Sequence, residues 1–577
     1  MAVKFGIRNY SRVGNQVTFT LVALNADGTI DTNYTGAFTW GLNGMSDPGL
    51  ALFSAGDMGQ RTYTTTILDP NVRTGVAANF PGSANGANLS VSPPGGTPGV
   101  SFGNAGDHLL VGGAGNDTIN GNNGNDLFLL QQGGNDTVHG GGGDDGFYFG
   151  AAYTVADVVN GGAGTRDQVA LQGNYAGGVT LGSLVGVEMV VLLPGNDNRF
   201  GGGGGPFSYA IVADANTVVS GNRITVQANT LRASENFSFD GSASGIDFLI
   251  YAGLGANFLT GGSGDDGFFF GQFRFTPNDF VNGGGGSDQL GLQGSYLGAS
   301  AINFGAGQVT NVEFIVLLSA SDNRFGAFGG IVNYDLTMHD SMVAAGQSMV
   351  IQANTLRAGE TFIFNGAFEN DGSFRIFSGA ADDFIVGSQN ADEIWGGAGN
   401  DFIVGTGGAD ILRGGAGNDT FSYREITDST PGARDQILDF ASGDLISLAA
   451  LASNTGGGNF TFIGDGAQTG ARQVQVSQTG NQATVNVYLD GDANPDMVID
   501  VTLLGGLVLG IGDFSGVSAM QRLDQPKDAF DTLSGGGLSK LWSHEASGAA
   551  MFRLGDPDLI DMPGALHALP GSSDLLI

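Results

Sequence analysis

Aspartate recurs at nine-residue steps in this chain, held in a fixed phase with glycine and with apolar residues. The hexapeptide GGAGND occurs three times, at Gly112–Asp117, Gly396–Asp401 and Gly414–Asp419. Glycines at its first, second and fourth positions allow backbone conformations that side chains forbid. A turn built this way can aim several carbonyl oxygens inward, and the sixth-position Asp adds a carboxylate. An all-oxygen donor set with loose geometry suits a hard cation of six to eight ligands, which describes Ca²⁺ better than Mg²⁺.

The elements that must position these donors are equally periodic. From Gly103 the chain reads GNAGDHLLV, GGAGNDTIN, GNNGNDLFL and, after one inserted residue, QQGGNDTVH and GGGGDDGFY. Sixth positions here are His108, Asp117, Asp126, Asp136 and Asp145, with His108 read as a degenerate capping turn. A second run, SGAADDFIV to GGAGNDTFS, gives Asp383, Asp392, Asp401, Asp410 and Asp419. A short run, AGLGANFLT then GGSGDDGFF, gives Asn257 and Asp266. The apolar eighth residue (Ile119, Phe128, Val138, Ile403, Leu412, Phe421) would point into a thin core. The triplet around it is too short to stand alone, so successive turns must stack, with a cation between them replacing hydrophobic stabilisation that the turns lack. Folding would then be coupled to metal binding. A glycine-rich flexible linker would not keep Asp and an apolar residue in phase over five turns.

Between the runs lies a longer duplication. DDGFYFG (144–150) recurs as DDGFFFG (265–271), VVLLPGNDNRFG as IVLLSASDNRFG, and VQANTLRASENFSF as IQANTLRAGETFIF. Such self-similarity marks an array. The start of the chain alternates apolar and polar residues, as in NQVTFTLVAL, with turn chemistry between. The expected fold is therefore all-β: an N-terminal β-sandwich (1–90), a linker (91–102), β-roll runs (103–150, 252–271, 378–422), two copies of a β module (151–251, 272–377), a C-terminal β domain (423–514) and a tail (515–577).

Composition excludes several functions. Acidic residues outnumber basic ones 56 to 21, a net charge of −35 that bound cations would offset. Phosphate recognition needs clustered Lys and Arg, and no lysine lies in the repeats, so nucleic acid is not an expected partner. Cysteine is absent, which removes disulfides and thiolate metal sites. No apolar run of about 18 residues marks a membrane span.

The repeats resemble the RTX (repeats-in-toxin) family, whose parallel β-roll binds Ca²⁺ between turns. FSYREITDSTPGARDQILDF followed by GDLISLAAL resembles the domain that closes the roll in serralysin-type secreted proteases. These resemblances imply export by a type I secretion apparatus through an uncleaved C-terminal signal. The ending SSDLLI fits such a signal, and MAVKFGIRNY lacks a Sec-type apolar stretch. The expected location is extracellular or at the cell surface.

Catalytic signatures are missing. His544-Glu545 is not followed by the second His of HExxH. The one GxSxG, at Gly99–Gly103, follows a Pro/Gly linker instead of a strand. Asp490-Gly-Asp492-Ala-Asn494 begins like an EF-hand loop but carries Pro495 and Val501 where Gly and Glu are needed, so a hairpin loop is expected. The duplicated DNRFG could place carboxylates for work on a glycan, but repeated Asp, Asn and Arg more often satisfy turns. The expectation is a non-catalytic, Ca²⁺-stiffened structural protein of the cell surface (a surface-layer, filament or adhesin-type subunit) that assembles with itself. The alternative is a secreted polysaccharide-active enzyme or carbohydrate-binding protein, with a surface glycan as partner.

Overall fold

The computed structural model describes residues 107–519, apart from 108, 201–203, 218–222 and 324–328, together with the backbone of strands lying within residues 4–101. The His108 turn, most of the 91–102 linker and the tail from 520 onward, with its expected export signal, lie outside the described residues.

One parallel ladder organises the described chain. It starts at Leu109–Val111 and passes through Leu127–Leu129, Gly146–Gly150, Gln168–Leu171 and Met189–Leu192. It then continues through Arg223–Gln227, Asp247–Tyr251, Gly267–Phe270, Gln289–Gln293 and Phe314–Leu318. Ser348–Gln352, Ser373–Phe377, Glu393–Ala398, Ile411–Ala416 and Asp435–Phe440 complete it. Opposite it run three shorter parallel sheets, from Val100–Ser101 to Ser183–Val185, from Tyr175–Thr180 to Val309–Thr310, and from Ile302–Asn303 to Phe514–Ser515. Most coils thus give one strand to the long sheet and one to a facing sheet, and the stretches 172–188 and 294–313 give a strand to each of two facing sheets.

The segments 151–251 and 272–377, expected as separate modules, carry this ladder forward without a break. Stacking does not need the nine-residue period. It needs a buried apolar residue in register on each coil, and the longer coils keep that residue while looping out the surplus chain.

The register makes the point. Phe128, Phe147, Val169, Val190, Val226, Ile250, Phe268, Leu290, Ile315, Ile351, Ile376, Ile394 and Leu412 are mutual partners along the long sheet. All are buried. A facing column of Leu336, Phe364, Ile385, Ile403, Phe421 and Ile446 is buried too. At about 1.5–3 kcal/mol per fully buried large apolar side chain, this core is continuous, and the turns are less starved of hydrophobic stabilisation than their glycine-rich text suggests.

Both ends are occupied by antiparallel strands. At the N-terminal end Lys4–Val13, Gln16–Leu24 and Gln60–Thr66 form one antiparallel set. Gly49–Leu52, Ala37–Leu42, Thr74–Asn79 and Ala87–Val91 form another, whose last strand joins the ladder beside Leu109–Val111. At the C-terminal end Met497–Leu503 adds in parallel to Asp435–Phe440, then turns the sheet antiparallel through Gln482–Tyr488 and Gln473–Thr479. The helix Ala449–Asn454 sits before these strands. The hairpin thereby covers an edge that would otherwise expose unpaired backbone groups.

Replacing Phe268, fully buried in the middle of the column, by Ala should cost about 3–5 kcal/mol. Urea unfolding of Phe268→Ala in saturating CaCl₂ measures this.

Candidate metal centres

All ten aspartates expected as ligands (Asp117, Asp126, Asp136, Asp145, Asp266, Asp383, Asp392, Asp401, Asp410 and Asp419) are buried. Successive repeats lie on opposite sides of the roll, so the aspartates fall into two rows per run. Asp383, Asp401 and Asp419 precede strands of the facing sheet, whereas Asp392 and Asp410 precede strands of the long sheet.

Within each row one carboxylate oxygen ties neighbouring coils together. The Asp383 N–H donates to Asp401 Oδ1 at 2.9 Å and the Asp401 N–H to Asp419 Oδ1 at 2.9 Å. The Asp392 N–H donates to Asp410 Oδ1 at 2.8 Å. In the first run Asp117 bonds to Asp136 at 2.9 Å and Asp126 to Asp145 at 2.7 Å in the same way. The second oxygen turns back over its own turn. In Asp117 and Asp266 it accepts the second-position N–H, from Gly113 at 2.6 Å and Gly262 at 2.7 Å. In Asp145, Asp401, Asp410 and Asp419 the buried Oδ2 has no hydrogen-bond partner.

Glycine makes room for these oxygens, and the three glycines of GGAGND do different work. Gly397 and Gly399 hold positive φ of 100° and 124°, which side chains rarely adopt. A Cβ on Gly396 would meet Asp401 Oδ2 and the Gly414 carbonyl oxygen, both closer than 3.0 Å. A carboxylate oxygen and a carbonyl oxygen from the next coil therefore line one small space, and Gly387, Gly121 and Gly140 repeat the arrangement. Buried oxygens that converge in this way fit a hard cation.

Asn257 is the instructive exception. Its Nδ2 donates to Gly255 O at 2.8 Å and to Asp279 Oδ1 at 2.7 Å. An amide here takes the oxygens that a cation would face elsewhere.

The rows extend beyond the nonapeptides. Asp136 N–H donates to Asp157, Asp145 to Asp167, Asp167 to Glu188, Asp266 to Asp288, Asp288 to Glu313, Asp410 to Asp435 and Asp419 to Asp444, at 2.6–3.0 Å. These carboxylates were legible as an acid two residues before a buried apolar residue, as in Asp167-Gln-Val169 and Asp435-Gln-Ile437, but the strict nine-residue step hides them.

The other motifs make contacts within the fold. Arg199 pairs with Asp197 at 2.8 Å within DNRFG. In the QANTLRA segments Arg232 pairs with Glu235 and Arg357 with Glu360, each at 2.8 Å. Those glutamates accept the Gly195 and Ala320 N–H groups of the preceding loops. Asp490 and Asp492 accept the N–H groups of Asp492 and Asn494 at 2.8 Å, forming turns between two hairpin strands.

Burial pushes these carboxyls up: Asp145 and Asp401 to about 8, Asp266 and Asp392 to about 7. Donated N–H groups oppose the shift, and for Asp401 the neighbouring Asp383 and Asp419 charges add to it. Without metal the folded chain binds more protons than the unfolded chain between about pH 4 and pH 8, so its stability falls as pH rises through that window. Ca²⁺ and protons compete for the same oxygens, so Ca²⁺ affinity rises through it. Melting in EGTA should show a lower Tm at pH 8 than at pH 5, and saturating Ca²⁺ should remove or reverse the difference. A Tm that rises with pH in EGTA would contradict the assignment. Gly396→Ala should weaken Ca²⁺ binding in a calorimetric titration, whereas Gly432→Ala, with open space around it, should leave it unchanged.

Comparison with known proteins agrees with this geometry. The RTX calcium-binding nonapeptide repeat matches at residues 102–133, 132–152, 249–273 and 278–290. The Peptidase M10 serralysin C-terminal family matches residues 365–509, which include the third run. No curated protein matches the chain. Among solved structures, a subunit of the Azotobacter vinelandii mannuronan C5-epimerase (AlgE6R3) is similar at 24% identity, covering 37% of this chain and 97% of that one, with a TM-score of 0.19. At that TM-score the likeness carries no argument about activity. Among the described residues no helix is long and apolar enough to cross a membrane. RTX nonapeptide repeats bind calcium and belong to substrates of type I secretion. RTX repeats set along a parallel roll, with a serralysin-type domain at its C-terminal end, mark this chain as a calcium-binding, secreted protein built on RTX repeats.

Proposed function

We propose that this protein is a structural subunit of the cell surface, of surface-layer, filament or adhesin type, stiffened and assembled on extracellular Ca²⁺ and without catalytic activity. The observation that carries the reading is the unbroken ladder. From Leu109–Val111 to Asp435–Phe440 it takes fourteen parallel steps, which at about 4.8 Å each give a stack about 67 Å long. The ten repeat aspartates are its proposed Ca²⁺ ligands. Low cytoplasmic Ca²⁺ would keep these turns open for export, and external Ca²⁺ at about 10⁻⁴–10⁻³ M would close them.

Contact faces for assembly are available on the outer surface. Phe258 stacks on Phe280 at 5.4 Å, and Phe384 on Phe402 at 5.1 Å, with nearly parallel rings. Phe258, Phe280 and Phe384 are exposed. Exposed stacked rings suit packing against a second copy, because apolar surface gains by leaving water. The same rings favour a second reading, a glycan-binding or polysaccharide-active protein, since an aromatic face also suits a sugar ring.

Electron microscopy of the full chain should show polymers or sheets in millimolar CaCl₂ that disperse in EGTA. A monomer at every concentration in CaCl₂, joined with retention on a polysaccharide matrix, would favour the glycan reading instead. Circular dichroism should show β-content rising on Ca²⁺ addition, and equal spectra in EGTA and CaCl₂ would remove the coupling of folding to metal.

A further inference from the structure

The turn that leads into the last run of repeats departs from their text. Residues 366–372, Gly-Ala-Phe-Glu-Asn-Asp-Gly, join Phe362–Asn365 to Ser373–Phe377. Register places this turn one coil ahead of the Gly387–Asp392 turn, since Asn365 pairs with Val386 and Arg375 with Glu393. Nine residues separate Asn365 from Arg375, against six between Val386 and Glu393. The place that the row would give to an aspartate is held by Phe374, whose N–H donates to Asp392 Oδ1 at 2.6 Å.

A different carboxylate is buried here. Glu369 is fully buried. Its Oε1 accepts the Gly372 N–H at 2.9 Å and the Asp371 N–H at 3.3 Å. Its Oε2 is buried with no hydrogen-bond partner. Carboxylate oxygens of Asp340, Glu369 and Asp371 lie within 4.8 Å of one another. Asp340 belongs to the preceding coil, and its Oδ1 accepts the Asn370 N–H at 3.0 Å and Nδ2 at 2.9 Å. The Gly346 N–H donates to the Asp371 carbonyl at 2.7 Å, and Val343 lies against Gly372.

Three like charges this close repel, and a buried carboxylate oxygen without a donor is costly. One divalent cation resolves both. We propose that Asp340, Glu369 and Asp371 form a Ca²⁺ site outside the nonapeptides, one that pins the 338–347 turn to the 366–372 turn. It closes the N-terminal end of the row Asp392–Asp410–Asp435. The donors are all carboxylate oxygen, which selects a hard ion over soft metals. Exposed Asp340 and Asp371 leave the ion open to water on one side, so the remaining ligands are waters.

Equilibrium dialysis of the full chain with ⁴⁵Ca²⁺ tests this, with folding checked by circular dichroism in CaCl₂. Both Glu369→Gln and the surface double variant Asp340→Asn/Asp371→Asn should lose one bound equivalent and retain the rest. Asp401→Asn serves as the comparison for the repeat sites. If it loses calcium while the double variant keeps every equivalent, the proposal fails and the repeat sites stand. Loss in Glu369→Gln alone would also overturn it, because Glu369 would then support the turn without holding an ion.

Discussion

One bond recurs along the described chain: a backbone N–H from one coil donated to a carboxylate oxygen of the next, as from Asp392 to Asp410 at 2.8 Å. It fixes the distance between coils and buries an acid in doing so. The acid's other oxygen is then confined with carbonyl oxygens and little to donate to it. A buried carboxylate in that setting either takes a proton or takes a cation. The glycine-rich turns and the run of negative charge follow from placing carboxylates where a proton or a cation can satisfy them.

Hydrophobic burial and ion binding divide the work. The apolar columns run through the long coils and the nonapeptide coils alike, from Phe128 to Leu412 on the long sheet. They set which face points inward. The turns are set by the charged rows, which the apolar columns cannot order because glycine offers them nothing to bury. Asn257 shows the division from the other side: where an amide supplies the missing donors, the turn closes by hydrogen bonds to Gly255 and Asp279.

Much of this was readable from the residues. The phase of glycine, aspartate and apolar residue announces stacked turns and oxygen donors, and FSYREITDSTPGARDQILDF announces the closing domain. The continuity of the ladder through 151–251 and 272–377 was not readable, because those coils vary in length and strand pairing depends on register, which a fixed period does not reveal when loops are inserted. Asp167, Asp288 and Asp435 were visible as a recurring Asp-Gln joint, yet their membership in the carboxylate rows depends on which coil lies beneath them. Glu369 was hidden more deeply: its place among Asp340 and Asp371 exists only after a longer turn folds back onto the coil before it.

In this parallel ladder each coil pairs with the coils directly above and below it. The ladder's cohesion is close to a sum of nearest-neighbour interfaces, so order can start at any coil and spread in both directions. Damage behaves in the same way. A cut or a disordered coil divides the stack into two shorter stacks, each keeping its own interior and its own ions, and the weakest interface sets where a pulled molecule parts.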